Sequence, residues 1–131
     1  MERCRIRHPN LILEHKPLWG EEYAKAISSF DINLCFLRKI NRDLQTTRSV
    51  EIPACGAFML AERTEEHLGL FEEGKEAEFF SSDEELMSKV KFYLDNPEMR
   101  YRIAASGRKR CVSSGYNNEN RIADVLRQIC P

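Results

Sequence analysis

No stretch of this 131-residue chain approaches the ~20 consecutive apolar residues that cross a bilayer, and the opening residues MERCRIRHPN lack the apolar core of a secretory signal. These absences predict a cytoplasmic chain with no membrane span. No charge sign dominates either: 20 basic residues face 21 acidic ones, a formal net charge of −1. A chain so balanced has no long-range field to draw nucleic acid or an anionic membrane, so any anion site must be local. The five cysteines, at 4, 35, 55, 111 and 130, include no CxxC pair. That odd, scattered set suits free thiols in a reducing compartment, and without zinc-site spacing no metal is expected. Repeats and low-complexity tracts are also missing, which leaves one domain, 1–131, as the expectation for this length.

What is present is short, regular punctuation by turn residues. NLILEH (10–15) predicts a first strand, and GEEYAKAISSF (20–30) a helix with Tyr23, Ile27 and Phe30 on one stripe. DINLCFL (31–37) predicts an apolar strand that feeds the loop RKINRDLQ. A short helix is expected from Thr46 or Thr47, capped by a threonine hydroxyl and stopped by Gly56, with Pro53 tolerable only near a helix start. AFMLA (57–61) predicts a fully buried strand, TEEHLGLF (64–71) a short helix and EAEFF (76–80) a last strand. Beyond residue 80 the chain reads as mainly helical. Ser82 and Glu85 form a capping box for a helix with Leu86, Val90, Tyr93 and Leu94 on one face. Pro97 opens a second helix, capped by Asn96 and running to about Val112; NENRIADVLRQI makes a third, with Ile122, Val125, Leu126 and Ile129 on its stripe. Alternating strands and helices over 1–80 imply an α/β fold, a partial Rossmann-like parallel sheet flanked by helices, with a helical C-terminal third.

In open parallel sheets ligands sit outside the carboxyl ends of the strands. RKINRDLQTTR is a loop at such an end. It carries Arg38, Lys39, Arg42 and Arg48 and runs into a helix N-terminus beside Thr46 and Thr47, where unpaired N–H groups favour phosphate. Glu51 falls three residues after Arg48, on the same helix face. A carboxylate there can accept from both hydroxyls of a ribose, and phosphate beside a diol describes a nucleotide. The same spacing is also that of an exposed ion pair, worth about 0.3 kcal/mol.

The segment from Thr46 to Cys111, with EIPACGAFMLAE, GKEAEFF, DEELMSKVKFYLDNPEMR and IAASGRKR, resembles the C-terminal, donor-binding part of GT-B nucleotide-sugar glycosyltransferases. The group it is most similar to includes the spore-maturation glycosyltransferase-like proteins. The family's acid-x7-acid motif is matched by Asp43 and Glu51, with Asp where Glu is usual. The resemblance implies that Glu51 binds the donor's ribose hydroxyls and that Asp43 lies near the sugar or its diphosphate, as the catalytic candidate. It also implies retaining transfer from a nucleotide-diphosphate sugar, a substrate and not a cofactor, to an acceptor hydroxyl. Too few residues are present for an acceptor domain, and the family's basic pair from the first donor-domain strands has no counterpart. An N-terminal acceptor domain, in cis or in trans, is therefore the implied partner. Alone, the chain is expected to fold without transferring sugar, and to self-associate through apolar surface left where absent strands would pack. The alternative is a non-catalytic interaction module that keeps the fold without the donor.

Other residues carry less. His67 with Cys55 could suggest a thiol nucleophile, but the polar helix TEEHLGLF gives the His67 ring no inward direction. Cys35 and Cys55 read as small core residues. The basic run RYRIAASGRKR spreads around its helix as a solvated face and predicts no nucleic-acid partner. Trp19 and Tyr23 could stack on a base or pack between helix and sheet.

Overall fold

The computed structural model describes residues 16–130. Its elements are α1 (Gly20–Ser29), β1 (Asn33–Cys35), a 3-10 turn (Lys39–Asn41), α2 (Arg48–Ala54), β2 (Met59–Glu62), α3 (Glu65–Leu70), β3 (Glu78–Phe80), α4 (Asp83–Asp95), α5 (Pro97–Ser113) and α6 (Asn118–Ile129). The strands form one parallel sheet in the order β1-β2-β3, with Asn33 opposite Met59 and Leu60 opposite Glu78. This is the expected α/β architecture with its helical C-terminal part. The strand expected at 10–15 lies outside the described residues.

Alternation along the strands sends side chains to opposite faces of the sheet. Met59, Ala61 and Phe79 join one core with Ile27 of α1, Ile52 of α2 and Cys111 of α5. Phe58, Leu60 and Phe80 join the other, against Tyr93 of α4 and Ile103 and Ala104 of α5. Both faces are therefore covered by helices, which is why AFMLA is apolar without alternation and buried from Ala57 to Ala61.

Local chemistry sets the ends. Gly56 takes a left-handed φ of 71° and stops α2 as expected; its N–H donates to the Pro53 carbonyl at 2.8 Å and the Ala57 N–H to that of Ile52 at 3.2 Å, a Schellman pair. Pro53 itself stands in the last turn of α2, not near its start. A seven-residue helix that ends one residue later forgoes only the bond Pro53 would have made to Ser49. Neither Thr46 nor Thr47 caps α2. Thr47 is already helical (φ −55°, ψ −37°), which denies its hydroxyl the extended geometry of a cap. Ser82 does cap α4, accepting from the Glu85 N–H at 3.2 Å, while the Glu85 carboxylate reaches the Ser81 N–H at 2.8 Å. Asn96 leaves α5 uncapped and donates to the Phe92 carbonyl at 2.7 Å, closing α4 instead.

The apolar stripes are only partly covered. Tyr23 and Ile27, and Leu86, Val90 and Tyr93, pack inward, whereas Phe30 and Leu94 are exposed. Ile122, Val125, Leu126 and Ile129 of α6 are all exposed, since no described element lies over that face. The basic run of α5 is not wholly solvated: Arg100 is buried, donating to the Tyr93 and Leu94 carbonyls and pairing with Asp31. It thereby satisfies the carbonyls that end α4.

Candidate functional site

Because all three strands run parallel, the loop after β1, the turn after β2 and Ser81 after β3 emerge at the carboxyl end of the sheet. The first loop is short of regular structure but not of contacts. Lys39 pairs with Glu62 at the end of β2, and Glu62 Oε1 accepts from the Leu37 N–H at 2.9 Å. Burial pushes the Glu62 carboxyl up, yet the Lys39 and Leu37 donors outweigh it and hold it below its ordinary value. Of the other loop cations, Arg38, Arg42 and Arg48 are exposed, Arg42 with a left-handed φ of 55°. Asp43 is half-buried, its N–H 3.4 Å from the Arg38 carbonyl.

Glu51 is exposed one turn into α2. Its partner is the Tyr23 hydroxyl of α1, which donates to Oε2 at 2.9 Å; among the described residues Arg48 and Glu51 form no ion pair. Tyr23 is pushed above its ordinary value by burial and then by the Glu51 carboxylate, while Arg48 pulls the other way. The three side chains thus form one electrostatic group. Trp19 is exposed and does not pack between helix and sheet, whereas Tyr23 is half-buried against the core.

Thr46, Thr47 and Glu51 line a groove of about 1230 Å³. Its opposite wall comes from Glu65, Glu66 and Gly69 of α3 and from Tyr116 and Arg121 around the start of α6. Arg42, Asp43 and Arg48 lie outside this lining. Sequence reasoning missed the far wall. Arg121 sits 5.2 Å over the Tyr116 ring, held there because Gly115 turns the chain with a φ of 62° and Asn117 caps α6 on the Asn120 N–H. The glycine before an Asn-capped helix was the only local signal.

His67 is not at the surface. It is fully buried, stacked 5.7 Å from Phe79 at 4°, with Nε2 2.7 Å from Ser49 Oγ and Nδ1 2.6 Å from the Glu62 carbonyl. Its partners are therefore Ser49 and Glu62, not Cys55, and buried Ser49 cannot meet a substrate. Cys35 is a core residue as expected, but Cys55 is only half-buried.

The groove sets three carboxylates, two threonine hydroxyls and one arginine around a half-buried tyrosine, a lining that suits a hydroxyl-rich ligand more than a bare anion. Among the described residues no helix is long and apolar enough to cross a membrane. No curated protein and no solved structure matches the chain. A family model described as glycosyl transferase-like matches residues 3–127, nearly the whole chain. The chain belongs to that glycosyl transferase-like family.

Proposed function

We propose that the groove holds the nucleoside end of a nucleotide-diphosphate sugar, with Glu51 accepting from the ribose hydroxyls and Thr46 and Thr47 at its rim. The observation that carries this is Glu51, whose carboxylate lines the groove with one oxygen already oriented by Tyr23. Two oxygens offer about four acceptor positions, so one tyrosine donor leaves room for a diol. The diphosphate then lies toward Arg48 and Arg42, outside the carboxylate-lined part, and Asp43 on the same loop stands toward the transferred sugar.

On this reading the chain is the donor-binding part of a GT-B, spore-maturation-like retaining glycosyltransferase, and an acceptor domain in cis or in trans supplies the other cleft wall. Positive charge and helix-end N–H groups would stabilise the departing diphosphate while the acceptor hydroxyl is held for attack. The exposed apolar residues of α6 favour a second reading, a non-catalytic interaction module. Donor binding separates the two.

Glu51→Gln keeps the shape and removes the charge, so it should weaken a ribonucleoside diphosphate by about tenfold, the loss of roughly 1.4 kcal/mol of charge-assisted bonding. Titration calorimetry at fixed salt reads the effect. Arg48→Ala should weaken the same ligand with a flatter salt dependence than wild type, since a phosphate contact has been removed. Unchanged affinity in Glu51→Gln would sink the ribose assignment.

A further inference from the structure

The turn from β2 into α3 contributes few groups to the groove, yet it grips the whole loop that leads there. The Glu62 carboxylate accepts from the Leu37 N–H and pairs with Lys39, holding the loop's start. The Thr64 hydroxyl donates to the Leu44 carbonyl at 2.7 Å, holding its middle, and accepts from the His67 N–H at 3.1 Å, capping α3. The loop's end is held by His67. A carbonyl can only accept, so Nδ1 carries the proton given to the Glu62 carbonyl, and Nε2 exchanges a hydrogen bond with the Ser49 hydroxyl. Ser49 Oγ in turn accepts from the Thr46 N–H at 3.0 Å. The chain of bonds runs from the end of β2 to the backbone of a groove residue, and His67 and Ser49 are fully buried along it.

We infer that Glu62, Thr64 and His67 are positioning residues that set the loop from Leu37 to Ser49, and through it Thr46, Thr47 and Glu51, before any ligand arrives. The physical need is plain. α2 has seven residues, too few to hold itself, and the segment between β1 and α2 contains only a 3-10 turn, so ordering it at the moment of binding would subtract from affinity. Three side chains between the end of β2 and the first turn of α3 remove that cost beforehand. Their relevance to binding rests on the donor-site reading above; the clamp itself does not.

The test uses the full chain in four forms: wild type, Thr64→Val, Thr64→Ser and Ser49→Ala. Valine keeps the threonine's shape and deletes both bonds, whereas serine restores them. Amide hydrogen exchange well below the melting temperature should speed by about tenfold at 43–49 in Thr64→Val and Ser49→Ala, with β2 and β3 unchanged, and return to within about twofold in Thr64→Ser. Titration with uridine or guanosine diphosphate, whichever wild type binds, should show about threefold to tenfold weaker affinity in the two loosened variants and recovery in Thr64→Ser. Exchange at 43–49 equal to wild type, or a loosening spread evenly over the sheet, overturns the clamp. Loosened exchange with unaltered affinity overturns its role in binding. A wild type that binds neither nucleotide refutes the donor reading, and the exchange result alone then decides the clamp.

Discussion

Arg63→Met is expected to destabilise the protein by about 2 kcal/mol, less than for a fully buried pair, because it strands half-buried carboxylates that the fold has placed together. Arg63 Nη2 bonds Glu85 Oε1 at 2.9 Å and pairs with Glu73, and its Nη1 reaches Ser81 Oγ at 2.5 Å. Lys89 completes the cluster, 2.7 Å from Glu78 and 3.0 Å from Glu73, and the Tyr93 hydroxyl donates to Glu78 at 2.7 Å. Two cations thus serve three carboxylates beside β3, and Lys89 alone cannot serve them. Methionine fills the space of the side chain's stem, so the loss reports charge and hydrogen bonding more than volume.

The cluster also fixes a pH dependence. The Arg63 guanidinium, followed by the Ser81 N–H, pulls the Glu85 carboxyl down to about 2 from its ordinary 4.5. For Glu73 burial pushes up, but the Arg63 and Lys89 bonds prevail and leave it lowered. Carboxyls lowered in the folded state bind fewer protons there than in the unfolded chain, so their stabilisation is complete above about pH 4.5 and is lost as pH falls toward 2. Urea unfolding at a series of pH values should show that decline in wild type and a shallower one in Arg63→Met. A parallel decline would mean that the cluster is not its source.

Gly107→Ala should cost about 3 kcal/mol in overpacking against about 1 kcal/mol regained in helix propensity, lowering the melting temperature by roughly 8 °C. Gly107 is where α5 crosses α2. A Cβ there would lie 2.4 Å from the Glu76 carbonyl oxygen and 3.3 Å from Pro53 Cβ. Backbone and a proline ring are the two neighbours least able to give way. Calorimetric melting checks this, and an unchanged melting temperature would show that the helices part more easily than the packing implies.

What could be read from the sequence was local. The box formed by Ser82 and Glu85, the stop at Gly56 and the apolar run from Ala57 to Ala61 depend on neighbours within a few residues, and the structure keeps all three. What could not be read depended on distant partners. Leu94 and the α6 stripe have the periodicity of buried faces, yet burial requires another element over them, which periodicity does not report. His67 was legible in part: with Leu70 and Phe71 it follows the i, i+3, i+4 rule for a face turned inward, but two adjacent glutamates obscured it. Arg100 precedes Ile103, Ala104, Gly107 and Cys111 on the buried face of α5 by the same rule. At the site, the spacing of Arg48 and Glu51 indicated a shared face, but only the fold brings Tyr23 to the carboxylate across 28 residues of chain. The groove's far wall needed the turn at Gly115, a backbone conformation that composition does not disclose.

Backbone amide NMR of the chain titrated with uridine or guanosine diphosphate tests the donor groove most directly. Shift changes should concentrate at Gln45–Glu51, at Gly69 and from Tyr116 to Arg121, the groove's two walls, and should be smaller with the 2′-deoxy ligand at equal concentration. No saturable change with either nucleotide, or changes centred on a separate, more apolar hollow lined by Gly56, Tyr101, Ala104 and Arg108, would contradict the assignment of this groove as the nucleotide-sugar site.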